Sequence, residues 1–192
     1  MTENETIILA SASPRRQELL QQIGCRFRVV VSDAEELSGD GISPERLAVE
    51  NARRKAEDVA AKEGGDVPVL GADTVVAVDE MILGKPKDET DAVRMLRLLS
   101  GRQHFVFTGI AFAYRGEVHE DVVKTAVWMD DLSDEEIAAY IATSEPMDKA
   151  GAYAVQGGAA KYVPRIDGSF SNVVGLPLHA VNELARKAGI VL

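Results

Sequence analysis

Apolar residues recur along this chain in two rhythms, one suited to strands and one to helices. Strand-like runs lie at residues 6–11 (TIILAS), 27–32 (FRVVVS), 67–71 (VPVLG), 74–78 (TVVAV), 105–114 (FVFTGIAFAY) and 122–129 (VVKTAVWM). Helical spacing fills several of the gaps. The first helix is expected to begin at Ser13 as N-cap with Pro14 in its first position, to turn Leu19, Leu20 and Ile23 inward, and to stop at Gly24. Ser43 and Pro44 repeat that start for a second helix running through Leu47, Asn51 and Lys55 to Gly64-Gly65. Ser133 and Glu136 form a capping box ahead of Ile137, Tyr140 and Ile141, and a last helix from about Pro177 carries Leu178, Val181 and Leu184 on one face.

Hairpins are expected at Asp79-Glu80 and at Arg115-Gly116-Glu117. Alternating strands and helices interrupted by hairpins predict an α/β fold with a mixed sheet and flanking helices, not a purely parallel one. No repeat, low-complexity tract or linker divides the chain, so residues 1–192 read as one domain.

Composition narrows the functional classes. At 192 residues and 46 % hydrophobic content the chain can bury a sizeable core. No apolar run approaches the roughly 20 residues needed to span a bilayer, and the opening MTENETIILA carries acids where an export signal would carry bases. The expectation is a cytoplasmic protein without a membrane partner. A single cysteine, Cys25, cannot form an intrachain disulfide and reads as a buried structural thiol. The net charge of -10 argues against a nucleic-acid polymer as partner, because a polyanion needs a basic footprint. A small anion met by local basic charge is compatible with it.

Four stretches could carry chemistry. In LASASPRR a strand ends in small polar residues and turns into a helix whose first turn bears Arg15 and Arg16. Cations there oppose the helix dipole, so a compensating anion is expected. The Ser11 and Ser13 hydroxyls, free N–H groups and two guanidiniums would suit a phosphate; a capped surface helix with two solvated arginines is the alternative. In VPVLGADTVVAV, Asp73 and Thr74 interrupt an apolar stretch, and a carboxylate among core strands needs a partner. A salt bridge to Lys85 in Gly84-Lys85-Pro86 and a catalytic role are both open.

Asp33, Glu35 and Glu36 follow a strand and could join Asp73 in binding Mg²⁺, or form a solvated acidic loop. In EPMDKAGAYAVQGGAAKYV, with Asp148, Lys149 and Tyr153, small residues would let a ligand approach, and Gln156 could read a base edge; a tight turn between two strands is the simpler reading. His104 before a strand, His119 in a charged loop and His179 near a helix start show no metal-ligand spacing, and Trp128 reads as core. Walker and GxGxxG loops are absent from the sequence.

Taken in order, SASPRR, Glu36, Asn51 with Lys55, GADT, GKP, LSGRQHFVFTG, EPMDKAGAY, QGG and NVVGLP resemble the Maf family of nucleoside triphosphate pyrophosphatases over nearly the entire chain. The resemblance implies two α/β lobes around a cleft, similar to the inosine triphosphate pyrophosphatases. It implies hydrolysis of the α–β anhydride of a nucleoside triphosphate with a divalent cation, Mg²⁺ or Mn²⁺, and a homodimer. Asp73 would be the proton acceptor or a metal-water ligand, Glu36 a metal ligand, and Lys55 and Lys85 phosphate contacts, with Lys85 beside Asp73 in the catalytic set. Arg16, Ser11 and Ser13 would hold phosphate. Arg15, Thr74 and Gln156 match the Arg, Thr and Gln of the subgroup acting on dTTP and UTP. A modified pyrimidine nucleotide as substrate, and a nucleotide-binding regulator of septum formation in which hydrolysis is incidental, are the alternatives.

Overall fold

Ten consecutive residues, Val69–Val78, form the strand on which the architecture turns. The computed structural model describes residues 6–39 and 41–192; the acidic opening with Glu3 and Glu5 lies outside them. In chain order the elements are β1 (Ile7–Leu9), α1 (Pro14–Gln22), β2 (Phe27–Val29), α2 (Pro44–Glu63), β3 (Val69–Val78), β4 (Met81–Leu83), α3 (Glu89–Leu99), β5 (Gln103–Tyr114), β6 (Glu117–Trp128), α4 (Asp134–Ile141), β7 (Arg165–Asp167), α5 (Phe170–Val174) and α6 (Leu178–Lys187). Among the described residues seven strands make one sheet in the order β2-β1-β3-β5-β6-β7, with β4 also on β3. The β1 pairings are parallel and the others antiparallel, which is the expected mixed sheet.

One edge of β3 is paired with β5 from Val69 to Ala77. The other edge meets β1 at Val69 and Leu70, then β4 at Val76 to Val78. Between those two partners the sheet opens at Gly71–Val75, and there the cleft forms.

Helix α2 covers one face of the sheet across this opening. Ala52, Ala56 and Val59 pack with Ile8, Val69, Ala111 and Ala113, while Leu47 and Ala48 pack with Val75, Ala77 and Phe107. The opposite face is split. Towards β1 it carries a core of Leu19, Leu20, Leu70, Phe112, Leu176, Val181 and Leu184; towards β4 it carries another of Val76, Leu96, Leu99, Val127, Ile137 and Tyr153. Two lobes thus share a sheet and a long helix.

Several local signals act as read. Ser43 accepts from the Arg46 N–H and α2 stops at Gly64, whose φ of 83° favours glycine. Ser133 and Glu136 close the capping box in both directions. At β5–β6 the two-residue loop Arg115-Gly116 has positive φ at both positions, the conformation that tight hairpins adopt. Cys25 is a buried free thiol, and burial raises its pKa.

Other expectations are corrected. The runs at 67–71 and 74–78 are one strand, because Asp73 and Thr74 continue its alternation and their polar groups are satisfied on its two faces. Residues 145–162 form 3₁₀ turns at Glu145–Asp148, Ala150–Ala152 and Gly158–Tyr162, not a turn between strands. Ile23 is exposed, since α1 ends one residue before it. Trp128 is half-buried under the Arg165 guanidinium, and its neighbours Val127 and Met129 enter the core instead. His104 lies inside β5, fully buried, and His119 inside β6. Helices α3 and α5 and strand β7 are additional to the expected elements. For α3 a signal was present: Asp88 caps the helix, and Ala92, Met95, Leu96 and Leu99 form its buried stripe.

Candidate active site

Two glycines bring α2 onto the sheet. A Cβ at Gly71 would strike the Ala52 carbonyl and one at Gly109 the Ala48 backbone, so bare backbone on β3 and β5 admits the helix this closely. One α-turn apart on that helix, Asn51 and Lys55 then reach the cleft and Asp73. Lys55 Nζ lies 2.8 Å from Asp73 Oδ1 and 2.6 Å from Glu36 Oε1. Asn51 Nδ2 donates to Asp73 Oδ2 over 3.2 Å, while its Oδ1 accepts the Leu37 N–H over 2.8 Å.

Of the two open readings, the bridge from Asp73 to Lys85 is not made: the partner of Asp73 is Lys55, and Lys85 is exposed on the loop after β4 with no ion pair among the described residues. Of the three acids after β2, Glu36 alone faces Asp73. Asp33 instead pairs with Lys62 over 2.9 Å, and Glu35 is exposed outside the cleft. Burial tends to raise the Glu36 pKa, but hydrogen bonding to Lys55 and the charges of Lys55, Lys85 and Arg16 outweigh it, and the net direction is downward.

Successive residues of a strand face opposite ways, so Thr74 points away from Asp73. There it meets Arg16, which is 9 % exposed. The guanidinium donates from Nε to the Gly175 carbonyl (2.8 Å), from Nη1 to Ser11 Oγ (3.0 Å) and from Nη2 to Thr74 Oγ1 (3.1 Å). Thr74 and Thr108, in register on β3 and β5, bring their hydroxyl oxygens to 2.9 Å, and Thr108 donates to the Asn172 carbonyl. No carboxylate lies within 4.0 Å of Arg16 among the described residues. Burial lowers its pKa, and Asp73 is the charge that most opposes the shift.

Arg15 points across the cleft to Asp148 Oδ2 at 3.3 Å, and Lys149 holds the other oxygen of Asp148 at 2.6 Å. Ser13 occupies the N-cap position of α1, but its hydroxyl makes no cap; its N–H donates to Ser11 Oγ over 3.3 Å. The first turn of α1 is therefore uncapped by side chains. Gln156 is exposed, with its amide unbonded among the described residues.

A cleft of about 670 Å³ collects the expected site residues. Ser11, Ser13, Arg15, Arg16, Glu36, Lys55, Asp73, Thr74, Lys85 and Gln156 line it together. Thr108 and Gly175, which hold Thr74 and Arg16, lie within the motifs LSGRQHFVFTG and NVVGLP, yet the sequence alone assigns neither of them, nor Asn51, a role. Their part is to hold other residues, and only pairing register and chain return bring them near.

This fold and site define an α/β protein with a charged cleft: a buried guanidinium without a carboxylate counter-ion among the described residues, beside a lysine that joins two carboxylates. The chain belongs to the Maf family, whose model, described as Maf-like protein, matches residues 6–188. It is 53 % identical over 193 residues to a dTTP/UTP pyrophosphatase of Geotalea uraniireducens, covering 100 % of this chain and 99 % of that one. It is 46 % identical to a dTTP/UTP pyrophosphatase of Vibrio cholerae, covering 94 % and 97 % of the two chains. Among solved structures, the Staphylococcus aureus Ham1 protein matches at 15 % identity with a TM-score of 0.48, over 96 % of this chain and 100 % of that one.

Proposed function

We propose that this chain is a nucleoside triphosphate pyrophosphatase that hydrolyses dTTP and UTP to the monophosphate and pyrophosphate. The observation that carries the reading is Arg16, buried with three neutral acceptors and no carboxylate partner among the described residues, beside the Glu36–Lys55–Asp73 array. A buried cation with spare N–H donors is complementary to phosphate oxygens. The names of the two relatives support the substrate class.

In this reading Asp73 accepts a proton from water as the water oxygen bonds to the α-phosphorus. The α–β anhydride bond breaks, and pyrophosphate leaves with the electron pair. Arg16, Lys55 and Lys85, with the Ser11 and Ser13 hydroxyls, hold the phosphates and neutralise their charge, which is most of what such a reaction requires of a protein. Arg15, Thr74 and Gln156 are assigned to selecting the pyrimidine nucleotide.

Glu36 and Asp73 also fit a divalent cation. Both offer hard oxygen donors, and Mg²⁺ characteristically takes one or two carboxylates and fills its shell with phosphate and water. Among the described residues no group of three or more acidic, histidine or cysteine side chains forms a complete protein cage, so substrate and water would complete the shell. Such an ion would supply charge neutralisation on the triphosphate. The homodimer and the cytoplasmic location implied by the family resemblance belong to the same proposal; light scattering and cell fractionation read them directly.

The test is Asp73→Asn. This variant is expected to stay folded and to lose pyrophosphate release from dTTP, and full activity would overturn the assignment. The same variant tests a regulator of septum formation that needs only binding: if it still acts in division, hydrolysis is incidental.

A further inference from the structure

Gln156 sits midway between two backbone N–H groups that are held by side chains from elsewhere in the chain. On one side, the Ala154 N–H donates to the Tyr140 hydroxyl over 3.0 Å. On the other, the Gly158 N–H donates to both oxygens of Glu145, at 2.9 and 3.2 Å. Tyr140 belongs to α4, and Glu145 opens the turn that follows it. Burial, followed by hydrogen bonding to Glu145, pushes the Tyr140 pKa up, so its hydroxyl stays protonated while it accepts from Ala154.

The packing is close. A Cβ on Gly157 would overlap the Glu145 carboxylate, so a larger residue there would have to displace that side chain. One residue before Ala154, the Tyr153 hydroxyl is bonded to the buried His104 Nε2 over 2.7 Å. The platform is itself secured, because α4 has a complete capping box and Ile137 and Ile141 lie in the core shared with α3. Gln156 is thus an exposed amide, unbonded among the described residues, on a turn whose feet are fixed.

A glutamine side chain has three rotatable bonds and loses considerable entropy when it is ordered on a ligand. Holding its backbone in place removes the part of that cost that the main chain would add. It also fixes which edge of a base the amide can meet.

We propose that Glu145 is a positioning residue for substrate selection: it holds the Gly158 N–H and, with Tyr140, sets the place from which Gln156 meets the nucleotide base. This rests on the reading of Gln156 as a base contact. Glu145 takes no part in bond breaking, so its loss acts on binding and discrimination, not on turnover.

The experiment measures kcat and KM for dTTP and dCTP with the full chain and four variants: Gln156→Ala, Glu145→Ala, Glu145→Gln and the double alanine variant. Gln156→Ala is expected to lower the dTTP over dCTP ratio of kcat/KM by about tenfold, the worth of one hydrogen bond. Glu145→Ala should reproduce that loss through KM, with kcat for dTTP within about twofold of the parent. Glu145→Gln keeps an oxygen to accept from Gly158 and should restore most of the ratio. The double variant should be no worse than Gln156→Ala, since one effect passes through the other.

Thermal melting checks folding. Gly158 is exposed, so its N–H can turn to water in Glu145→Ala. An undisturbed ratio in Glu145→Ala beside a lowered one in Gln156→Ala would overturn the positioning role and leave Gln156 as the base contact. An unchanged ratio in Gln156→Ala would overturn that contact itself, and the positioning role with it. Equal loss of kcat on both nucleotides in Glu145→Ala, without change in the ratio, would also overturn the proposal.

Discussion

Asn51 binds Asp73 with one end of its amide and the loop bearing Glu36 with the other: Nδ2 reaches Asp73 Oδ2 at 3.2 Å while Oδ1 receives the Leu37 N–H at 2.8 Å. Both ends are used and the residue is buried, so its orientation is dictated. Asn51→Ala is expected to lower kcat for dTTP about tenfold, because Asp73 loses one of its two partners and the Glu36 loop loses its tether. Asn51→Asp should be worse, since it sets a second carboxylate against Asp73. Steady-state kinetics of the two variants check the order.

Arg16 distributes its guanidinium over a backbone carbonyl and two hydroxyls. An ammonium cannot reproduce that fork. Arg16→Lys should therefore raise KM for dTTP by roughly tenfold or more even though the charge is kept. Equal KM in the lysine variant would mean that charge alone matters at this position.

Glu36 and Asp73 share Lys55 and are the carboxylates proposed to hold a divalent cation. Stripping the protein with EDTA should stop pyrophosphate release, and Mg²⁺ or Mn²⁺ should restore it. In Glu36→Gln the metal concentration giving half-maximal rate should rise about tenfold. Activity that persists in EDTA would remove the metal from the proposal.

Gly109 has no room for a methyl group, because α2 backbone occupies the space. Gly109→Ala must push the helix from the sheet, at a cost of about 2 kcal/mol or more. Since Lys55 and Asn51 ride on that helix, activity should fall further than stability predicts. Urea denaturation gives the first quantity and kcat measured well below the melting temperature gives the second.

His104 is fully buried, and that burial pushes its pKa down to about 4 from 6.5, against a smaller opposing contribution from the Arg102 backbone. Between those values the unfolded chain binds the proton and the folded one does not. Stability therefore rises with pH through this window, is fully present above about pH 6.5, and is lost progressively as pH falls towards 4. The contribution is about 3 kcal/mol by the usual worth of a pKa shift. Melting curves of His104→Gln and the parent from pH 4 to 7 should converge on the acid side, with the variant showing the shallower slope.

What could be read from the chain alone was whatever depends on neighbours in sequence. Ser43-Pro44 and Gly64 bound α2, and Ser133 with Glu136 starts α4, because caps and left-handed stops act within a few residues. The ordered motifs also named the residues that line the cleft, since each keeps its own chemistry wherever it is placed.

Tertiary structure decided which of those residues meet. Lys55 and not Lys85 reaches Asp73, because two glycines on neighbouring strands admit α2; that approach depends on a register between residues far apart in sequence. The same register joins Thr74 to Thr108, and the returning chain at Gly175 completes the hold on Arg16. Residues 145–162 looked like a turn between strands, and only contact with Tyr140 and Glu145 makes them a fixed platform. A free-standing backbone N–H carries no mark of the distant side chain that will accept from it, so positions of this kind become visible only when the fold has closed.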